Sequence, residues 1–205
     1  MRKLPMASIG IVCAMHEEVQ KIVTALNLKK LTTNSNFAIY QNQQITLIES
    51  SIGKVASTLA TCTLIENYNI DRLINIGLAG ALKTTPVGSA YFVSSVTQHD
   101  AFIPFEQYQA DMYQSINCMV PTNAANAMTL TTGDQFIDNM HHANSDADMV
   151  DMEGFAIAYV ANKYKLPITM IKGISDDANG ASEEVLFKNL NAAMDQTIVL
   201  LKQAI

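Results

Sequence analysis

The run Ser8-Ile9-Gly10-Ile11-Val12-Cys13-Ala14 constrains the fold of this chain more than any other feature, because it is apolar almost without a break. A strand with one wet face alternates polar and apolar side chains; a strand covered on both faces does not. Arg72–Ile76 and Ile168–Ile174 read the same way. Buried strands of this kind need helices on both sides of their sheet, and helical patterns stand between them. After the first run, Val19, Ile22, Val23 and Leu26 fall at i, i+3, i+4 and i+7. Glu17 and Glu18 put acid in the first turn, where it complements the helix dipole.

The rest of the chain continues the alternation. Phe37–Tyr40 and Gln44–Ser50 read as a hairpin around Gln41-Asn42-Gln43, a helix spans roughly Val55 to Tyr68, and Ser89–Val96 is a strand. Arg72–Ile76 ends in Gly77-Leu78-Ala79-Gly80, which by itself is a tight strand-to-helix turn. The least periodic stretch, Thr97 to Asn126, reads as loop with one short helix. Asp151–Tyr164 is small and apolar almost all round and is expected to be a buried helix ended by Leu166-Pro167. Ser182 with Glu183 and Glu184 caps a final amphipathic helix. Strands alternating with helices predict a three-layer α/β domain, and with no linker or repeat in view it is a single domain over residues 1–205.

Composition excludes several functions. The formal charge is −6 and no Lys/Arg cluster stands out, so neither a nucleic-acid groove nor an anionic membrane patch is expected. No stretch of about twenty apolar residues marks a transmembrane helix. Arg2 and Lys3 before Ile9–Met15 resemble a leader, but the apolar run is short, carries Gly10, and passes straight into His16-Glu17-Glu18. A buried first strand and a cytoplasmic protein are the expectation. Cys13, Cys62 and Cys118 form no CxxC, and His16, His99, His141 and His142 show no i, i+4 spacing, so no metal site is expected.

In open α/β sheets ligands sit beyond the carboxyl ends of the strands. Three segments carry chemistry at such places, Ala14-Met15-His16-Glu17-Glu18, Asn75-Ile76-Gly77-Leu78-Ala79-Gly80 and Ser175-Asp176, and a fourth, Val150-Asp151-Met152-Glu153-Gly154, stands at the start of the buried helix. Each has an ordinary explanation taken singly. Glu17 and Glu18 complement a dipole, the glycine segment lacks GxGxxG spacing, and Ser175-Asp176 is a turn or cap. Glu153 is harder to dismiss, because a carboxylate on a buried helix is costly unless something pairs with it.

In combination these segments resemble the methylthioadenosine/S-adenosylhomocysteine nucleosidases, within the purine nucleosidases and nucleoside phosphorylases. The resemblance is carried by Ile9-Gly10-Ile11 with Ala14 to Val19, Ser51-Ile52-Gly53-Lys54-Val55-Ala56, Ile74 to Leu82, Val87-Gly88, His99-Asp100, Gly133-Asp134-Gln135-Phe136-Ile137, Asp151 to Gly154 and Ile174-Ser175-Asp176. These stand in family order from residue 9 to about residue 177. The resemblance implies an αβα sandwich around a twisted mixed central sheet, no cofactor, and hydrolysis of the N-glycosidic bond of an adenosine-type purine nucleoside, as in methionine salvage.

It also implies roles. Asp176 matches the general acid that protonates the departing purine, oriented by Ser175, and such an acid needs burial or nearby negative charge to keep its proton near neutral pH. Glu18 matches the residue that positions and deprotonates water. Glu153 matches the carboxylate that grips the ribose hydroxyls, with Met152 beneath the sugar. Phe136 matches the ring stacked on the base, and the Ile137 backbone the group that reads the base edge. Gly77 and Lys172 complete the implied substrate-binding set. A homodimer is implied too, with a loop of one subunit closing the other's pocket and the aromatic stretch of Phe102, Phe105, Tyr108 and Tyr113 as the candidate.

The chain departs from the family in three places. Leu78 stands where a serine is common, Lys172 stands where an arginine is usual, and the stretch between His99 and Gly133 is short. Lysine keeps the charge but loses the planar fork. Phe102 and Phe105 are the candidates for an aromatic pocket wall from that stretch. Phosphorolysis is the second reading; against it, the only arginines are Arg2 and Arg72, and Glu18 would place negative charge where phosphate binds. A non-catalytic nucleoside-binding protein is the third. Methylthioadenosine, adenosylhomocysteine, a deoxyadenosine and futalosine all remain open as substrates.

Overall fold

The structure, a computed structural model, describes residues 8–124, 126–139, 143, 145–178 and 183–205. The expected cap at Ser182, the N-terminal Arg2 and Lys3, and the His141-His142 pair lie outside them. Strand β1 (Ile9–Cys13) is buried throughout and leads into α1 (His16–Leu26). The two-residue β2 (Lys29–Lys30) precedes the hairpin β3 (Ile39–Gln41) and β4 (Ile45–Glu49). Its turn sequence is weak, yet Asn42 Oδ1 accepts from the Gln44 and Ile45 N–H groups at 3.0 and 2.9 Å, an Asx turn that closes it. Then follow α2 (Lys54–Asn67), β5 (Arg72–Ala81), β6 (Ala90–Gln98), the short α3 (Glu106–Met112) and β7 (Ile116–Asn117). The chain ends with β8 (Ala127–Thr132), β9 (Met149–Asp151), α4 (Gly154–Lys163), β10 (Ile168–Asp176) and α5 (Glu183–Ala204).

The strands form one mixed sheet with helices on both faces. On one side Ile9, Ile11, Cys13, Ile74 and Ile76 meet Val19 and Ile22 of α1 and Leu190, Met194 and Leu201 of α5. On the other, Val12, Leu73, Met170 and Ile174 meet Ala60 and Leu64 of α2 and Phe155, Ile157 and Ala161 of α4. The two-residue period of each strand thus feeds two cores, which is why β1 and β10 show no polar face.

The sheet also closes on itself. Strand β5 pairs in parallel with β1 and β10 and antiparallel with β9. Strand β10 pairs antiparallel with β6, β6 in parallel with β8, and β8 in parallel with β9. The strands β5, β10, β6, β8 and β9 form a ring, and β1, β4, β3 and β2 extend from it.

Three expectations need correction. Gly77-Leu78-Ala79-Gly80 is not a turn: β5 continues through it to Ala81, paired with β10 along the way. Asp151 ends a strand and does not open the buried helix, which begins at Gly154. The stretch read as loop contains β7 besides its short helix. In each case long-range pairing decides the conformation, and local periodicity carries no trace of it.

Candidate active site

The carboxyl ends of β5, β9 and β10 and the starts of α1 and α4 surround a cavity of about 280 Å³. All nine residues expected to serve the site line it: Glu18, Gly77, Phe136, Ile137, Met152, Glu153, Lys172, Ser175 and Asp176. They come from five separate stretches of chain.

Glu18 is in the first turn of α1, and only 2 % of it is exposed. Its Oε2 accepts from the Met15 N–H at 3.0 Å and from the Cys13 thiol at 3.3 Å. Its Oε1 accepts from the Leu78 N–H at 2.8 Å. The residue that lacks the family's hydroxyl therefore still holds Glu18, through its backbone. Glycine at 77 makes this approach possible, since a Cβ there would stand 3.1 Å from Oε1. Burial pushes Glu18 above its ordinary value, against the opposing pull of the two N–H bonds and the Lys172 charge.

Lys172 and Asp151 form a buried ion pair at 2.7 Å. The ring brings them together, because β9 and β10 both pair with β5. Asp151 also accepts from the Thr132 hydroxyl at 2.6 Å and the Gly154 N–H at 2.9 Å. Burial disfavours the Lys172 charge, but the surrounding carboxylates Asp151, Glu153 and Glu18 outweigh it and raise its pKa. One ammonium cannot neutralise three carboxylates. Glu153, whose Oε1 accepts from the Gly53 N–H at 2.8 Å, is accordingly pushed up to about 7 by burial and by Asp151.

Asp176, the last residue of β10, is 5 % exposed. Ser175 Oγ donates to its Oδ2 at 2.7 Å and the Ala178 N–H to its Oδ1 at 2.8 Å. Ser175 is itself anchored, since the Asn189 side-chain amide donates to its carbonyl at 2.9 Å. Gly80 lets Asp176 lie against β5, where a Cβ would meet Oδ1 at 3.0 Å. Beside it Leu82, Ile137, Val150 and Ala178 form a small apolar cluster. Phe136 stands half exposed at the mouth.

Two candidate residues stand apart from the cavity of their own chain. Phe102 and Phe105 do not line the cavity and are 82 % and 58 % exposed. The aromatic side chain that does reach the cavity, besides Phe136, is Phe187 of α5. Nothing but its place in an amphipathic helix marked it in the sequence. Asp151 was visible as part of Asp151-Met152-Glu153-Gly154, yet its pairing with Lys172 could not be seen across twenty residues of helix and strand. Arg72 opens β5, at the end away from the cavity, and donates to the Ala204 carbonyl.

Comparison with known proteins adds to this geometry. A family profile described as the phosphorylase superfamily matches residues 8–205. A 5'-methylthioadenosine/S-adenosylhomocysteine nucleosidase of Buchnera aphidicola is 31 % identical, over 89 % of this chain and 84 % of its own. An aminodeoxyfutalosine nucleosidase of Helicobacter pylori is 27 % identical, over 85 % and 87 %. The solved structure of Arabidopsis thaliana 5'-methylthioadenosine nucleosidase superposes with a TM-score of 0.86 at 24 % identity, covering 98 % of this chain and 95 % of that one.

Proposed function

The chain belongs to the phosphorylase superfamily and, within it, to the methylthioadenosine/S-adenosylhomocysteine nucleosidases; it is a purine nucleosidase, and we propose that Glu18 and Asp176 divide its chemistry between them. The observation that carries this reading is that Glu18, Glu153 and Asp176 line one cavity while differing in what surrounds them. Glu153 grips the ribose hydroxyls, Met152 packs beneath the sugar, Phe136 covers the base and the Ile137 backbone reads its edge. Asp176, oriented by Ser175, gives its proton to ring nitrogen 7 as the bond from ribose C1′ to the base breaks. Glu18 takes a proton from water as the water oxygen bonds to C1′. A base whose pKa is raised toward neutrality is the better proton acceptor, and burial supplies that shift for Glu18.

Hydrolysis is favoured over phosphorolysis by charge. Among the described residues lining the cavity the one Lys or Arg is Lys172, and Asp151 already engages it. A phosphate dianion would have to enter beside Glu18 and Glu153. The substrates we assign are adenosine-type nucleosides, with methylthioadenosine and S-adenosylhomocysteine foremost and an aminodeoxyfutalosine-type nucleoside as the alternative suggested by the Helicobacter relative. The reading includes a cytoplasmic homodimer. Its support is the number of exposed large apolar side chains, Phe102, Phe105, Tyr108 and Tyr113 with Val55 and Leu59 on α2. A light-scattering mass of one chain would remove the dimer.

The deciding experiment is chromatographic detection of free base from methylthioadenosine, adenosylhomocysteine, 5′-deoxyadenosine, adenosine, inosine and futalosine, with and without phosphate. Base release without phosphate, lost in Glu18→Gln, is the expected result. Release only with phosphate would overturn the role of Glu18.

A further inference from the structure

Three of the sequence motifs, Gly53-Lys54, His99-Asp100 and Gly133-Asp134, have no part in the chemistry above, yet they converge. Lys54 opens α2 just outside the cavity. Its ammonium donates to Asp100 Oδ1 at 2.6 Å and Gln98 Oε1 at 3.4 Å, and lies 3.6 Å from Asp134 Oδ2. Its backbone N–H donates to Asp134 Oδ1 at 3.0 Å. The Asp134 N–H in turn donates to Asp100 Oδ2 at 2.7 Å. The cluster thus ties the loops after β4, β6 and β8 to one another.

Two of the three tied loops lead into the cavity wall. Gly53, next to Lys54, donates the N–H that holds Glu153, and Ile52 before it lines the cavity. Gln135, Phe136 and Ile137, which follow Asp134, line the opposite wall. Lys54, Gln98, Asp100 and Asp134 do not line it themselves. Gly133 completes the fit: a Cβ there would clash with the His99 imidazole, so the chain turns toward Asp134 without a side chain.

We propose that Lys54, Asp100 and Asp134 are positioning residues that set the spacing between Ile52, with the Gly53 N–H that holds Glu153, and the Gln135-Phe136-Ile137 wall, and so the affinity for nucleoside, without touching it. The inference rests on the nucleosidase reading above. Isolated ion pairs at such exposure contribute little; a network whose bonds include two backbone N–H groups fixes direction as well as distance. Burial pushes Asp100 up, but the bonds from Lys54 and the Asp134 N–H outweigh it and hold it below its ordinary value. Asp100 therefore stays charged wherever the enzyme is assayed.

The test is steady-state kinetics of Lys54→Met, Asp100→Asn and Lys54→Arg on the best nucleoside of the panel, with a urea unfolding curve for each. The expected result is a KM raised about tenfold in the first two, with kcat changed less than about threefold, as for loss of binding common to ground and transition states. Lys54→Arg should restore KM to within about threefold of wild type. KM values unchanged in both disruptive variants, a fall in kcat alone, or loss of the folded state in both would overturn the proposal. An unmutated protein that released no base would count instead against the nucleosidase reading, so the two failures are distinct.

Discussion

At one end of the cavity Glu18, Asp151 and Glu153 share the single ammonium of Lys172, whereas at the other Asp176 is held by a hydroxyl and one backbone N–H. The first end is an electrostatic balance in which each charge depends on the others. The second is a local geometric hold, built from residues 175, 176 and 178. In the mechanism proposed above, the water to be deprotonated and the ribose hydroxyls to be bound would meet the end rich in negative charge. The base to be protonated would meet the end with one carboxyl beside apolar side chains. Carboxyl groups with opposite tasks need different surroundings, and the cavity supplies them.

The contrast breaks most sharply in the chemistry. Asp176→Asn keeps the shape but has no proton to give, so kcat should fall by roughly 10²–10⁴ with KM little changed, and Glu18→Gln should do the same by losing the base. Wild-type turnover in either variant would show that the two ends are not divided as proposed. Removing the shared ammonium should damage stability as well. Lys172→Met strands Asp151 and Glu153 in the interior, and urea unfolding should show a loss of about 3–5 kcal/mol. The equivalent loss at the other end, in Ser175→Ala, should be smaller, about 1 kcal/mol, because a single hydrogen bond goes.

A further effect concerns pH. Glu153 is raised from its ordinary 4.5 to about 7, so folding favours its neutral form. Its contribution to stability is complete below the ordinary value and is lost as pH rises through about 7. Glu153→Gln removes that loss. The variant's Tm should therefore gain on wild type by about 5–10 °C between roughly pH 5 and pH 8, the shift that about 2–3 kcal/mol produces in a domain of this size. A difference independent of pH would mean that Lys172 and the Gly53 N–H fully compensate the charge. The same variant should bind ribose more weakly and raise KM.

Much of the site was legible because its carboxylates stand in short motifs at the ends of strongly patterned elements. Glu18 follows an unbroken apolar strand, and Asp176 ends another. What could not be read were the partners. Lys172 looked like a substrate ligand lacking arginine's fork, and its nearest neighbour is Asp151. Leu78 looked like a lost hydroxyl, and its backbone N–H holds Glu18. Phe187 carried no signal, and Phe102 and Phe105 do not reach the cavity of their own chain, because aromatic character does not tell a cavity wall from an outer surface.

The sequence by itself determined the buried strands, the amphipathic α1 and the order of the chemical motifs, since burial on both faces and a 3.6-residue period are written in neighbouring residues. Only the tertiary structure decided that β5 would run on through Gly77 and Gly80, that β9 and β10 would close a ring on it, and that Lys54, Asp100 and Asp134 would meet. Strands of two or three residues have no period to detect. The pairing of charges dozens of residues apart is chosen by which loops the closed sheet sets side by side, and no local pattern encodes that choice.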